Sequence, residues 1–344
     1  MKFERVIAPV FGLANLATIL AHGPPQPAAA LVRREALVVE AAKAYSSCAK
    51  KLKSREANDR RDAKTQSFVN SYLESRGLEP SFDKRIDSAN ATCVLAPEEV
   101  EGPYYVSGEL IRNDIREKQA GIDLLLDVQL LNVHTCEPLK NVLVDFWSCN
   151  STGVYGGIGI ENTLGLTFLR GLVKSDNDGV VQVLTKVPGW YTGRAQHIHV
   201  KAHVNYTIAN NTVQGGSVVH TGQLYLNQSI LSEINVLAPY SADPNPFTLN
   251  SADFIFTGEA NATAGYDAYI HVTKTGKTLS DGLLGKITLA LDPNKAATPV
   301  DMGGPGGNFT GWPPGANFTG FPPGFSGFPT GSPPARPTTT TKKA

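Results

Sequence analysis

The chain has 344 residues, of which 41% are hydrophobic and 18% are charged. This length and composition allow one main globular domain with an ordinary hydrophobic core and a small appendage. Lys plus Arg and Asp plus Glu number 31 each, so the formal net charge is zero. Without a basic surplus there is no electrostatic reason to bind nucleic acid, and we expect a small-molecule partner.

The first residues have the pattern of a secretory signal peptide. A basic start with Lys2 and Arg5 precedes a mostly apolar run over residues 6–20, and small residues follow. The run is shorter than the roughly 20 apolar residues that a membrane span requires. We therefore predict a signal peptide at residues 1–21, a secreted protein and no membrane anchor.

The sequence after the signal peptide also contains a candidate processing site, and it contains sequons that agree with export. Residues 22–34 end in an Arg-Arg pair, which is either a processing site that ends a pro-segment or an ordinary surface pair. Eight Asn-X-Ser/Thr sequons predict a glycosylated protein. These sequons begin at Asn90, Asn150, Asn205, Asn210, Asn227, Asn261, Asn308 and Asn317.

The four cysteines form an even set, which an oxidising compartment would pair. Four cysteines allow three connectivities. We predict the disulfides Cys136–Cys149 and Cys48–Cys93, because the first pair flanks a predicted hairpin and the second brackets the helical region. A metal–thiolate cluster is the alternative, but no Cys-X-X-Cys spacing supports it.

The pattern of residues divides the rest of the chain into three regions. Residues 35–95 are predicted to be a short helical region, and its charged stretch KKLKSREANDRRDAK is interpreted as a solvated helix or loop. Residues 96–295 contain short runs of branched and alternating residues, which predict a mainly β domain, an antiparallel β-sandwich. The predicted strands cover residues 122–133, 141–149, 180–187, 197–204, 222–226, 253–258, 268–274 and 286–292.

Residues 296–344 are rich in Gly, Pro, Phe and Thr and contain a tandem nine-residue repeat at 308–316 and 317–325. Such a composition cannot bury enough apolar surface to offset chain entropy, so we predict a disordered tail. Its aromatic residues suggest, as a minor alternative, association with a cell-wall polymer.

The most informative stretch is PGWYTGRAQHIHVKAHV, residues 188–204. Alternate side chains of a strand share a face, so His197 and His199 point the same way and can converge on one metal ion. A His-X-His pair alone is weak evidence, because paired strand histidines are often structural. Tyr191 in the adjacent turn and Tyr155 in a Gly-flanked loop add two hard oxygen donors, which together with two imidazoles suit Fe(III).

The order DFWSCNSTGVY…FLRGLVKSDNDGVVQVLTKVPGWYTGRAQHIHVKAHV resembles the intradiol ring-cleavage dioxygenases, the catechol 1,2- and protocatechuate 3,4-dioxygenase group, most closely their secreted fungal branch. The resemblance covers roughly residues 96–292. It implies an extracellular non-haem Fe(III) enzyme that uses O2 to open the ring of a small aromatic diol and yields a muconic-type diacid.

Carried over position by position, the resemblance implies that Tyr155 and His197 are equatorial iron ligands and that Tyr191 and His199 are axial ligands. It also implies that Tyr191 leaves the iron when substrate binds and then acts as the base. Arg194 would lie beside the bound ring and stabilise the anion formed during the reaction.

The segment EGPYYV at 101–106 resembles the family's pocket-lining segment, so Pro103 and Tyr104 are expected in the pocket wall. Arg170 belongs to the motif FLRG and is interpreted as structural. The stretch between the tyrosine and the arginine of YTGR is shorter than in bacterial catechol enzymes, which predicts a more open pocket. Catechol, hydroxyquinol, protocatechuate and lignin- or tannin-derived phenols all remain candidate substrates.

Three other functions remain as alternatives. The first two are a secreted β-sandwich binding module that has lost turnover and a wall-associated structural glycoprotein. The third is a zinc hydrolase, which is disfavoured because tyrosine is not a usual zinc ligand and His203 lies too far along the strand. The helical region either forms a homodimer contact, as in the catechol enzymes that it resembles, or packs on the sandwich.

Overall fold

The structure of the protein is a computed structural model that describes residues 55–79, 93–94, 98–99, 101–257 and 269–297, the side chains of 55–58 and 93–94 excepted. The predicted signal peptide, the pro-segment and the tail beyond residue 297 lie outside this part of the chain. Within it, no helix is long and apolar enough to cross a membrane.

Strands are the main regular secondary structure of the described chain, as predicted. Runs of branched residues form strands because such side chains suit a pleated, half-buried surface. The helices and strands are α1 (Arg55–Ser75), β1 (Cys93–Val94), β2 (Asp123–Asn132), β3 (Leu143–Trp147), β4 (Arg170–Lys174), β5 (Val180–Lys186), β6 (His197–Val204), β7 (Thr207–Ala209), β8 (Thr212–Gln214), β9 (Ser217–Leu226), α2 (Gln228–Asn235), β10 (Tyr269–Lys274) and β11 (Leu283–Leu291). Short 3-10 helices span Gly159–Glu161, Tyr240–Ala242, Asn250–Ala252 and Leu279–Asp281.

One predicted strand, at residues 253–258, is wrong. Residues 254–257 form a helical turn instead. Asp253 begins this turn, because its carboxylate accepts hydrogen bonds from the N–H groups of Ile255 and Phe256, at 2.9 and 3.2 Å. This is the capping role that aspartate favours at the start of a helix, and it outweighs the strand propensity of the aromatic residues that follow.

Nine strands form a continuous sheet in the order β4-β3-β6-β9-β10-β11-β2-β5, with β1 beside β11. A hydrophobic core with residues from β2, β3, β5, β6, β9 and β11 lies between the two halves of this sheet, as in a β-sandwich. The pairing is mixed rather than wholly antiparallel, since β9–β10, β2–β11 and β1–β11 are parallel. Parallel neighbours require a long crossover, and the connection that contains α2 provides one between β9 and β10.

The two end strands of this order, β4 and β5, both bond to residues 110–115. The N–H of Leu172 in β4 donates to the carbonyl of Leu110 at 2.9 Å, and the N–H of Leu184 in β5 donates to the carbonyl of Asn113 at 2.7 Å. Unpaired edge strands invite aggregation. This segment therefore protects both edges and closes the sandwich on that side.

Strand β6 is buried on both faces. Its core face carries Ile198, Val200, Ala202 and Val204, which belong to the main hydrophobic core. Its other face carries the polar residues of the motif HIHVKAH, and these are buried as well. Residues 101–112 cover this second face, where Glu101 pairs with Lys201 and Gly102 lies against the His199 ring. Polar side chains there therefore have to find partners inside the protein.

Helix α1 packs on the sandwich through a small apolar cluster. Val69, Tyr72 and Leu73 of the helix contact Leu125 of β2 and Leu284 of β11. The predicted helical region is therefore helical over Arg55–Ser75, which packs on the sheet, whereas Cys93–Val94 near the end of that region form the strand β1.

The charged stretch of α1 is helical but is not solvated throughout. Arg61 is buried and donates to the carboxylate of Asp127 in β2 through Nε and Nη2, at 3.2 and 3.1 Å. Thr65 is buried too and donates to the same carboxylate at 3.0 Å. The solvated interpretation is wrong for Arg61, because a buried carboxylate in β2 requires charged and polar partners. Thr65 follows directly after the charged stretch.

The predicted disulfide between Cys136 and Cys149 is wrong. Cys149 is a buried free cysteine, whereas Cys136 is disulfide-bonded to another residue. The prediction assumed a hairpin between β2 and β3, but these two strands are not neighbours in the sheet. The side chains of Cys48 and Cys93 lie outside the described residues, but they are the two remaining cysteines, so one of them must be the partner of Cys136. The predicted Cys48–Cys93 disulfide is therefore wrong as well.

We expect Cys149→Ala to remove one reactive thiol from the unfolded, unreduced protein, because Cys149 is free in the fold. Cys136→Ala is the matched control and is expected to add one thiol, because it releases its disulfide partner. Thiols are counted with a thiol-specific reagent in denaturant without a reducing agent. A gain of one thiol in the Cys149 variant would show that these two cysteines are paired after all.

Candidate metal centre

The four predicted ligands lie together at the start of β6. The rings of His197 and His199 have centroids 4.7 Å apart, and the ring of Tyr191 lies 5.7 Å from that of His197. The ring of Tyr155 lies 5.8 Å from Tyr191 and 6.4 Å from His199. Two imidazoles and two phenols thus surround one point in the fold.

The two histidines face each other through nitrogen atoms. Their Nε2 atoms are 3.1 Å apart. Nδ1 of His197 donates to the carbonyl of Ala195 at 2.6 Å, which leaves Nε2 of a neutral ring with its lone pair free. Burial lowers the pKa of both histidines, and the charge of Arg194 lowers them further, so both rings are neutral. Neutral imidazole is the form that binds metals.

Trp147 and Gly102 fix the position of His199. The indole of Trp147 in β3 stacks on the imidazole with centroids 4.6 Å apart and planes 5° from parallel. On the other side, a Cβ atom at Gly102 would come within 3.4 Å of the His199 ring. Gly102 also has φ +79°, a conformation that favours glycine. The chain can therefore cover the ring closely.

Tyr155 is fully buried, and its hydroxyl has no hydrogen-bond partner. Its backbone is held in place, since the carbonyl accepts from Oγ1 of Thr163 at 2.6 Å and the N–H donates to the Glu161 carboxylate. Burial raises the pKa of Tyr155 well above its ordinary value. A buried hydroxyl without a partner costs roughly 1–3 kcal/mol, which a bound cation would offset.

These donors suit a hard metal ion such as iron. Phenolate oxygen and imidazole nitrogen are hard to intermediate ligands, and neither is the thiolate that soft metals prefer. Among the described residues, no group of three or more His, Cys, Asp or Glu side chains could hold a metal. A metal bound at this point therefore depends on Tyr155 and Tyr191 as well as on the histidine pair.

Hydrogen bonds from several segments hold the turn that carries Tyr191. The side chain of Gln196 closes the turn by donating to the carbonyl of Pro188 at 2.7 Å. The indole N–H of Trp190 donates to the carbonyl of Asn245 at 2.9 Å. Within the turn, the N–H of Arg194 donates to the carbonyl of Tyr191 at 3.1 Å. The phenol is thus presented from a fixed backbone.

Arg194 lies beside Tyr191 and donates hydrogen bonds to four side chains, among them those of Tyr191, Gln223 and Asp253. Nη1 is 3.3 Å from the Tyr191 hydroxyl, Nη2 donates to the Gln223 amide oxygen at 2.6 Å, and Nε donates to the Asp253 carboxylate at 2.9 Å. The same Asp253 oxygen accepts from the N–H of Ala195 at 2.7 Å. Burial raises the pKa of Tyr191 to about 12, although the charge of Arg194 opposes this rise.

Sequence reasoning missed Asp253, Gln223 and Tyr225. Gln223 and Tyr225 lie opposite His199 and His197 in the register of β6 and β9. The hydroxyl of Tyr225 accepts from Arg194 at 3.2 Å. The sequence pattern that could have indicated Gln223 and Tyr225 is the polar side chain at alternate positions of the buried strand GQLYL. No local sequence pattern connected Asp253 with the site, because its segment has the residue pattern of a strand.

The two predicted wall residues have different environments. The ring of Tyr104 stacks on Tyr155 with centroids 4.5 Å apart and lies edge-on to Tyr191 at 5.5 Å. Pro103 is exposed. Arg170 donates to the carbonyls of Tyr104 and Gly156, at 2.6 and 2.7 Å. Arg170 therefore ties the covering segment to the Tyr155 loop, in agreement with its structural interpretation.

A family model described as Dioxygenase matches residues 100–223. The solved structure of an intradiol ring-cleavage dioxygenase from Tetranychus urticae is 30% identical, with a TM-score of 0.51, and the match covers 59% of this chain and 97% of that chain. This chain belongs to the family of intradiol ring-cleavage dioxygenases. A second solved dioxygenase structure is also 30% identical, with a TM-score of 0.50 and the same coverage of both chains, 59% and 97%.

The chain is also similar to Catechol 1,2-dioxygenase 1 from Acinetobacter lwoffii. The two are 26% identical over 159 residues, which is 40% of this chain and 50% of the relative. The chain thus spans about half the length of that protein. The family-model match includes all four candidate ligands, Arg194 and Gln223, but it ends before Asp253.

We expect strong energetic coupling between Arg194 and Asp253. Each single variant, Arg194→Gln or Asp253→Asn, leaves a buried charge without its partner and should lower the free energy of unfolding by about 3 kcal/mol. The double variant should lose about 2 kcal/mol less than the sum of the two single losses. Denaturant unfolding of the metal-free protein measures all three.

The exposed pair Lys274–Glu233, with a distance of 3.4 Å, is the control. The cycle of Lys274→Gln and Glu233→Gln should give a coupling below about 1 kcal/mol. Additive losses in the Arg194 and Asp253 variants would contradict a direct charge interaction between them.

Proposed function

We propose that the protein is a non-haem Fe(III) dioxygenase that opens the ring of a catechol-type diol between its two hydroxyl groups. O2 supplies both added oxygen atoms, and the product is a muconic-type diacid. The observation that carries this proposal is the convergence of two neutral histidine Nε2 atoms, 3.1 Å apart, with two buried tyrosines. Membership of the intradiol family supports the reaction type.

Tyr155, Tyr191, His197 and His199 would hold the ferric ion. When bound, the ion supplies Lewis acidity and draws electron density from the diol, which makes the ring reactive toward oxygen. The protein supplies fixed ligands. His197 is oriented by the carbonyl of Ala195, and His199 is oriented by the indole of Trp147. Such outer contacts tune and position metal ligands in proteins.

Tyr191 is the proposed base. Burial raises the pKa of this residue to about 12 in the metal-free protein, so its phenolate is a strong acceptor for a proton from a diol hydroxyl. The Arg194 guanidinium, 3.3 Å from the Tyr191 oxygen, can donate to the phenolate before that transfer. It also presents a fixed positive group to an anion formed on the ring afterwards.

Tyr104 and the aromatic cluster around it would exclude water from the reacting groups. Tyr104 covers Tyr155 face to face, and Tyr105 packs edge-on against Trp147 with centroids 5.0 Å apart. Water exclusion strengthens the electrostatic interactions inside the site. Pro103 remains a proposed wall residue at the exposed end of the same segment.

We also propose that the protein is secreted and glycosylated. The basic and apolar residues at 1–21 and the eight sequons support this proposal. Among the described sequons, Asn205, Asn210 and Asn227 are exposed. The amide of Asn150 instead donates to Gln119 at 3.1 Å and accepts from the N–H of Val154 at 3.0 Å, which disfavours a glycan there. The homodimer contact and the wall association stay predictions.

We expect the purified protein to bind iron and to be red to burgundy through tyrosinate-to-iron charge transfer. Tyr191→Phe should lose most of the visible absorbance and at least about 100-fold in the rate of oxygen uptake with catechol, since the ligand and the base disappear together. Absorbance spectra, metal analysis and an oxygen electrode give the three readouts.

Tyr206→Phe is the matched control, because Tyr206 lies beyond the far end of β6. This variant should keep both colour and activity. A colourless protein with stoichiometric zinc would contradict the iron proposal. An iron-loaded, coloured protein without oxygen uptake on any diol would favour the binding module that has lost turnover.

A further inference from the structure

We propose that the site selects catechols whose ring carries no carboxylate, and that Glu161 is a determinant of this choice. The inference rests on the proposed function and narrows its substrate class. Three observations support it. The cations near the four ligands are paired, the side chains around Tyr155 are apolar, and the carboxylate of Glu161 forms no salt bridge within the described part of the chain.

The cations near the ligands are already neutralised. Arg194 and Arg170 are the guanidinium groups whose charges act on Tyr155 and His199. Arg194 forms a buried salt bridge with Asp253 at 2.9 Å, and Arg170 forms one with Glu109 at 3.3 Å. Burying a charge is unfavourable unless it is paired, so these bridges belong to the fold itself.

Each nitrogen of the two guanidinium groups already donates to a protein acceptor as well. Nε of Arg170 donates to the carbonyl of Gly156, and Nη2 donates to the carbonyl of Tyr104. Nη2 of Arg194 donates to Gln223. Lys201, two residues after His199, pairs with Glu101 at 2.9 Å. A ring carboxylate would therefore compete with an existing protein partner for each of these cations.

Glu161 adds a negative charge beside the site. Its carboxylate accepts a hydrogen bond from the N–H of Tyr155. Its charge also acts on Tyr104, whose ring stacks on Tyr155. Among the described residues, no cation forms a salt bridge with Glu161, although burial raises the pKa of this carboxyl and the charge of Arg170 opposes the rise. A substrate carboxylate that entered beside Tyr104 and Tyr155 would meet a like charge, which disfavours its binding.

The surroundings of Tyr155 are otherwise apolar. Trp147, Cys149, Tyr155 and Ile158 form one buried cluster, and Tyr104 and Val106 are among the residues that pack against it. The loop after Tyr155 also exposes the side chains of Ile160, Leu164 and Leu166. Apolar and aromatic side chains offer no compensation for the desolvation of a carboxylate, whereas they accommodate an unsubstituted or alkyl-substituted ring.

The test compares catechol, 4-methylcatechol and protocatechuate at pH 8, where 4-methylcatechol controls for the size of the ring substituent. The iron-loaded full chain is assayed for kcat/KM by oxygen uptake, and the Kd of each diol is measured by calorimetry without oxygen. We expect wild type to favour both uncharged diols over protocatechuate by at least about tenfold in kcat/KM and in Kd, the effect of roughly one pKa unit of charge interaction.

Glu161→Gln is the informative variant, because glutamine can still accept the Tyr155 N–H while the charge is lost. It should improve both kcat/KM and Kd for protocatechuate relative to 4-methylcatechol by about tenfold. The control Glu233→Gln makes the same charge change on α2, at a residue whose partner is Lys274. It should leave both ratios unchanged.

The inference is overturned if wild type binds and converts protocatechuate as well as 4-methylcatechol, or if Glu161→Gln shifts all three diols equally. The proposed function fails separately, through absence of oxygen uptake with every diol. If no diol is oxidised, the ratio of the Kd values from calorimetry still tests whether the site discriminates against a carboxylate.

Discussion

The site depends on the burial of the polar face of β6. Strand alternation places Ile198 and Val200 in the core, so His197, His199 and Lys201 must point to the opposite face. Residues 101–112 cover that face and supply partners to it. Glu101 pairs with Lys201, whose ammonium group also lies 3.8 Å from the centre of the Tyr105 ring. Because these residues bury the histidine pair, both imidazoles are neutral and held in position, as metal ligation requires.

Two buried ion pairs then fix the rest of the site. Arg194–Asp253 joins the Tyr191 turn to the helical turn that Asp253 caps, and Arg170–Glu109 joins the Tyr155 loop to the covering segment. Buried pairs contribute little net stability, but the loss of one partner is strongly destabilising. The two pairs therefore act mainly by fixing positions. Arg194 holds Tyr191 and Arg170 holds the Tyr155 loop, and the acidic partner of each arginine lies outside the sequence motifs.

The parts of the structure that could be predicted from sequence are those that local periodicity or a motif encodes. Period-two alternation gave the bounds of β6 and the shared face of its histidines, and the YTGRAQHIH motif gave Tyr191 and Arg194. Contacts over long sequence separations could not be predicted. The Cys136–Cys149 pair failed because strand order is a property of the whole sheet, and Asp253 was missed because an aspartate cap replaced an expected strand.

The charge arrangement also explains why the donor set suits an ion of high charge. Burial raises the pKa of Tyr155 well above its ordinary value and that of Tyr191 to about 12, so both are phenols in the metal-free protein at neutral pH. The nearby guanidinium groups are matched by Asp253 and Glu109, so they cannot alone keep two phenolates ionised. A bound cation would supply the missing stabilisation. A trivalent cation supplies more of it than a divalent one at the same distance, because the Coulomb energy scales with the charge.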